Sequence, residues 1–177
     1  NKEPESIKSS IINYHNRYFM QTFLPYNSFR ESAEILDKKR AWKQVVEAKQ
    51  LICSLRANNL PSDWIETKSY QTQPFKNHPA RLMWKGYEEL LKLYFYDFLE
   101  VCKRVHKINT KMEPLIINVD FIKFPFWLGV ESFHRAMRSR LIEKNREFYL
   151  PLFPNDDGFN KSKYFWPIME TQKFKVI

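Results

Sequence analysis

The stretch that most constrains the fold runs from Phe75 to Arg104, FKNHPARLMWKGYEELLKLYFYDFLEVCKR. Met83, Tyr87, Leu90, Tyr94, Phe98, Val101 and Val105 recur every three or four residues, the spacing of one helix face. Leu82, Leu91, Phe95, Leu99 and Cys102 widen that stripe until most of the surface is apolar, which predicts burial on several sides. Asn77 or His78 stands where a cap belongs, and Pro79 suits the first helical position because its missing N–H has no partner there. Glu88–Lys92 and Glu100–Arg104 place acid four residues before base on an exposed stripe. The pattern predicts one long central helix of roughly 35–38 Å, with other elements packed round it.

At 177 residues the chain is long enough for one domain with a real core. With 44% hydrophobic and 16% aromatic residues it is not a disordered chain, and only 3 Gly argue against a fold of tight hairpins or phosphate-cradling loops. An all-α class follows: a compact helical domain around the central helix, with an extended N-terminal arm and a coil-rich C-terminus. Lys and Arg total 29 against 20 Asp and Glu, a net +9 that favours polyanionic partners while leaving the fold undetermined. Cys53 and Cys102 both fall on apolar helix faces, as reduced core cysteines do in an intracellular setting (cytoplasm, nucleus or virion). No apolar run reaches the ~20 residues of a membrane span, and the first residues lack the apolar core of a secretion signal, so neither membrane insertion nor secretion is expected.

Residues 1–19 read as an arm, 20–170 as the domain and 171–177 as a tail. Met20 to Tyr26 is short, apolar and extended, stopped by Pro25. Ser28 with Glu31 has capping-box spacing and opens a helix over 28–36; Asp37 caps a second over 38–56 whose Val45, Ala48, Ile52 and Leu55 face the core. Residues 58–74 read as a long ordered loop, and 106–126 as an irregular crossover or edge strand. Phe124-Pro-Phe-Trp-Leu-Gly129 is an aromatic corner. A helix over 130–148 turns Phe133, Met137 and Leu141 inward, and Pro-punctuated coil follows it.

Several constellations bear on chemistry. Arg40, Lys43, Gln44 and Glu47 share a face of helix 38–56, opposite Val45 and Ile52. A lone carboxylate among cations suits acid or electrostatic work at a sugar, where positive charge develops on the anomeric carbon. A solvated face with weak ion pairs has the same spacing. Asn77-His78-Pro79 offers a phosphate a helix N-terminus, or merely a structural cap. The helix over 130–148 carries Arg135, Arg138, Arg140, Lys144 and Arg146, with His134 one turn before Arg138; phosphate contact or ordinary solubility accounts for them equally. Phe124, Phe126 and Trp127 suit a wedge against bases or a plug in the core. The four His and two Cys form no pair at zinc spacing, and no phosphate-binding or nucleophile-elbow motif occurs, so neither metal nor cofactor is expected.

Taken together, MQTFLPY, FRESAEILDKKRAWKQVVEAKQL, NHPARLMWKGYE, PFWLGVESFHRAMRSRLIEK and the late YFWP resemble the pyrimidine-dimer DNA glycosylase family of phage endonuclease V-like proteins. The resemblance runs from Met20 to Pro167, and the NHPA..MW.GYE block is its most specific part. It implies a compact all-helical enzyme that kinks duplex DNA, flips a nucleotide and excises a damaged or modified pyrimidine. In that family a free N-terminal amine attacks the sugar C1′ to form an imine, and a glutamate on the first long helix assists base release and strand scission by β-elimination. Carried over by position, Glu47 matches the glutamate, Arg40 lies near a phosphate-proximal position, and Lys43 and Gln44 share its turn. The nucleophile would be the amine of Gln21, yet Met20 precedes it and leaves only an amide nitrogen. Four alternatives stay open: a terminus freed at Gln21, an amine from Lys43 or Lys39, water activated by Glu47, or a DNA-binding or assembly subunit without chemistry whose arm anchors a protein partner. The expected site is thus Glu47, Lys43 and Gln21 for catalysis, with Arg40, Gln44, His78, His134, Arg138, Arg140 and Trp127 on DNA.

Overall fold

The computed structural model describes residues 20–160 and 163–177; the expected arm, 1–19, lies outside them. About half of the chain is helical, with one small sheet. Helix α1 (Phe29–Ile35) is capped by Ser28, whose side chain accepts from the Glu31 N–H. Helix α2 (Lys38–Ser54) is capped by Asp37 in the same way, through the Arg40 N–H. Both starts fall where the capping residues put them.

The central helix is shorter than its apolar stripe. Pro79–Leu82 forms a single turn, α5, and the long helix, α6, begins only at Glu88 and ends at Arg104. Gly86 makes the break: its φ of +88° is left-handed backbone, open to glycine and strained for other residues. The Tyr87 N–H turns back to the Trp84 carbonyl at 2.8 Å, and the Glu88 side chain accepts from the Gly86 N–H at 3.0 Å. The 17 residues of α6 span about 25 Å at 1.5 Å each, not the length the stripe suggested. The stripe itself is real on both sides of the break, because Met83, Leu90, Tyr94 and Phe98 are all buried.

Helices α2 and α1 both pack against α6. Ala41, Val45, Ala48 and Ile52 meet the apolar face of α6, and Leu55 is partly buried beside them. Residues 58–74 hold two short helices, α3 (Ser62–Ile65) and α4 (Lys68–Thr72), where sequence composition suggested loop. Thr67 caps α4 through the Tyr70 N–H, a one-residue signal too short to register as periodicity. Residues 106–126 are irregular, with one 3-10 turn at Val119–Phe121 and no strand.

Helix α7 (Glu131–Lys144) ends earlier than expected, at Asn145, whose side chain caps a further turn, α8 (Arg146–Tyr149). Phe133, Met137 and Leu141 point inward as their spacing requires. The last residues are no free tail: β1 (Phe165–Ile168) and β2 (Lys173–Val176) form an antiparallel hairpin, with Phe165 opposite Val176. Phe174 packs on Phe165, Phe126 and Phe133, so the hairpin closes over α7 and the aromatic corner.

Candidate active site

The site is built around residues Met20–Tyr26, a segment with no helical or sheet ladder of its own. Met20 through Pro25 are all buried. Buried backbone groups need partners, and here side chains supply them. Gln44 accepts from the Phe23 N–H at 2.7 Å, and the Tyr94 hydroxyl donates to the Phe23 carbonyl at 3.0 Å. Tyr94 donates equally to Gln44 Oε1, so one glutamine oxygen ties the segment to both α2 and α6. His134 Nδ1 lies 2.8 Å from the Leu24 carbonyl, and Arg138 donates to the Pro25 carbonyl at 2.8 Å. Ser32 closes the last turn, accepting from the Tyr26 N–H and donating to its carbonyl. Trp84 Nε1 reaches Thr22 Oγ1 at 3.0 Å.

These bonds deliver Gln21 to Glu47. The backbone N–H of Gln21 donates to the Glu47 carboxylate. Gln44 Nε2 approaches Glu47 Oε2 at 3.4 Å, and Lys43 Nζ approaches Oε1 at 3.6 Å. The Glu47 side chain is 9% exposed and that of Lys43 is 53% exposed, so the lysine forms the outer rim of a buried acid. Burial pushes the Glu47 carboxyl up to about 7, against the opposing pull of Lys43, the Gln21 N–H and Lys144. A carboxyl near 7 exists in both protonation states at neutral pH and can give or take a proton. Sequence spacing placed Gln44 and Glu47 on a face opposite the core. The structure buries both, because the 20–26 segment covers that face.

Lys144, the last residue of α7, completes the cluster. It interacts electrostatically with Arg140, Lys43, Arg40 and Glu47, and its Nζ stands 5.9 Å from the centre of the Phe23 ring. Half-burial and the three cations hold its pKa below the ordinary lysine value, burial being the larger cause. Arg40 pairs with Asp37 at 3.1 Å, and Arg140 pairs with Glu143 and lies 4.2 Å over the Tyr164 ring. Lys43 and Lys144 thus flank Glu47 from two helices, with Arg40 and Arg140 near Lys144. Lys144 was countable in the sequence only as one cation of a basic helix; its i, i+4 relation to Arg140 was the signal available for its side of that helix.

Four expected DNA contacts stand elsewhere. Arg138 is buried, donating to Asp156 at 2.7 Å and pairing with Glu131 as well as holding Pro25. His134 is buried with Nε2 accepting from the Gly129 N–H at 2.9 Å, so its ring carries the proton on Nδ1 toward Leu24. Burial also lowers its pKa. His78 Nδ1 accepts from the Ala80 N–H at 3.0 Å, the capping role, and its ring meets Trp166 edge-on. Trp127 is 0% exposed, donates to the Met83 carbonyl and packs on Trp84 and Phe133. It is a core plug; at that corner the exposed ring is Phe124, at 73%. All four side chains are buried, and two of them, His134 and Arg138, position the segment that carries Gln21.

Cys53 and Cys102 are buried free thiols, and burial pushes Cys102 up to about 12. Among the described residues no helix is long and apolar enough to cross a membrane. No curated protein and no solved structure matches the chain. The family model for pyrimidine dimer DNA glycosylase matches residues 20–114, more than half of the sequence, and spans both the Gln21 segment and the helix that carries Glu47. This chain, with its raised glutamate held against the second residue of the matched region, belongs to the pyrimidine dimer DNA glycosylase family.

Proposed function

We propose that the protein excises damaged pyrimidines from duplex DNA, with Glu47 as the catalytic carboxylate. The observation that carries this reading is the Glu47 carboxyl itself, buried, raised to about 7 and flanked by two lysines, Lys43 and Lys144. Glycosidic cleavage builds positive charge on C1′ and negative charge on the leaving base. In its protonated form Glu47 gives a proton to the departing pyrimidine; as the resulting carboxylate it stabilises the sugar cation. Arg40, Lys43 and Arg140 hold the flanking phosphates around that sugar. Gln44, Tyr94, His134 and Arg138 are positioning residues, fixing the 20–26 segment against the carboxylate. Strand scission needs an amine to make an imine at C1′, and the Gln21 nitrogen is an amide behind Met20. Lys43 and Lys144 are the amines beside Glu47.

The test is cleavage of a glycosidic bond at a cyclobutane dimer in duplex DNA, read as an alkali-labile abasic site because the detached pyrimidine stays joined to its neighbour through the cyclobutane ring. Parent protein makes that site, while Glu47→Gln loses at least about 100-fold in rate, the scale of a positioned acid–base group, and binds DNA as before. Equal rates in parent and variant remove Glu47 from the reaction. Binding of duplex without base release by the parent would instead mark a DNA-binding subunit on this scaffold.

A further inference from the structure

The corner ahead of Trp127 carries an exposed aromatic knob beside a cleft that holds an acid. We infer that two copies of this chain pair there, the Lys123–Phe124 knob of each copy seated in the Asp97 cleft of the other. The inference stands on surface chemistry and is independent of the glycosylase reading.

Ile116, Val119, Phe121 and Phe124 stand 67–73% exposed within one short irregular segment, more than singly scattered surface side chains account for. Phe124 precedes Pro125, which restricts its backbone to extended conformations, and Trp127 is locked into the core three residues on. The knob's backbone is thus fixed before any partner arrives, which lowers the ordering cost of binding. Lys123, its neighbour, is exposed and has no ion pair among the described residues.

The cleft beside the knob has a volume of about 370 Å³, room for a phenyl ring. Phe29, Leu90, Leu93 and Leu128 form its apolar walls, Phe124 its rim, and Asp97 supplies the charge. Among the described residues the half-buried Asp97 has no hydrogen bond and no ion pair. Arg30 acts on it without contact and is bonded to Glu34 at 3.1 Å. A carboxylate drawn into apolar walls without a partner calls for a cation carried beside an apolar group. This chain presents that pair at Lys123 and Phe124. The same carboxylate repels a phosphate backbone, which disfavours DNA as the occupant. Because Phe124 itself lines the cleft, knob and cleft adjoin, and a twofold axis beside them makes each contact twice.

The experiment is sedimentation equilibrium of the full chain from low to high micromolar concentration. A reversible species of twice the 21.6 kDa chain mass is expected. Phe124→Ser and Lys123→Glu, both at exposed positions, should each weaken association at least about tenfold, through a lost anchor and through two like-charge contacts. Asp97→Lys should do the same. Mixing Lys123→Glu with Asp97→Lys should restore pairing close to parental strength, because only the mixed pair brings opposite charges together at both contacts. A parent that stays monomeric overturns the inference, as does association untouched by Phe124→Ser and Lys123→Glu. A mixture of folded variants that pairs no better than either alone overturns it too. The two exposed variants decide the matter even where Asp97→Lys folds poorly. Duplex affinity should be equal in parent and Phe124→Ser; a loss there in a monomeric chain gives the corner to DNA instead.

Discussion

Glu47→Gln should cripple the reaction and stabilise the fold at once, with a size that depends on pH. The Glu47 carboxyl titrates near 7 in the folded protein and near 4.5 when exposed. Between those values the folded state binds more protons than the unfolded chain, so this group's contribution to stability falls as pH rises from about 4.5 through 7. At about 1.4 kcal/mol per pH unit of difference, burying the ionised carboxylate costs about 3 kcal/mol above pH 8 and under about 1 kcal/mol at pH 5. Glutamine keeps an oxygen for the Gln21 N–H and carries no charge. The variant should therefore gain roughly 2–3 kcal/mol more over parent at pH 8 than at pH 5, or roughly 5–10 °C in Tm for a chain of this size. His134 acts in the opposite sense: its lowered pKa makes the protein lose stability as pH falls through 6.5, in parent and variant alike. Comparing the two proteins cancels that contribution. Urea unfolding of both at pH 5 and pH 8 reads the difference. A stability gap that does not change with pH would refute the claim that Glu47 is held near 7 by burial.

Other perturbations separate the site from its supports. Lys43→Ala removes the cation nearest Glu47 and should move the pH limb of base release that reports Glu47 to higher pH; an unmoved limb places the kinetic pKa on another group. Arg138→Ala leaves Asp156 with Arg135 alone and the Pro25 carbonyl without that donor, which should cost about 1–3 kcal/mol on urea unfolding. The salt dependence of duplex binding should stay the same in Arg138→Ala, and a slope shallower by about one would put that guanidinium on a phosphate. Trp127→Ala should destabilise by about 3–5 kcal/mol as a core deletion. A stable variant with selectively weakened DNA affinity would restore the residue to the interface.

Helix starts were legible because caps are local: Ser28 and Asp37 act through N–H groups three residues away. The face of Arg40, Lys43, Gln44 and Glu47 was legible as a spacing but not as an environment. Burial of Gln44 and Glu47 comes from the 20–26 segment, whose approach is fixed by α6 and α7 residues 71 to 113 positions away. The same non-local bonds explain why His134 and Arg138 read as phosphate ligands. Nothing in a basic helix distinguishes an arginine aimed at DNA from one aimed at a buried aspartate and a carbonyl. Gly86 is the converse case, one residue overriding a strong period, because a positive φ ends a helix whatever its stripe. The C-terminal hairpin gave no sequence signal, since its turn lies among Met169–Gln172 with no glycine to mark it.

The measurement closest to the central claim is glycosidic cleavage at the single cyclobutane dimer of a duplex, read as alkali-labile abasic sites and followed against pH for parent and Glu47→Gln. The account predicts cleavage by the parent with a pH dependence centred near 7, and cleavage slower by at least about 100-fold in the variant despite its greater stability at pH 8. Equal cleavage by both proteins would contradict it, as would a parent that binds the duplex and leaves every glycosidic bond intact.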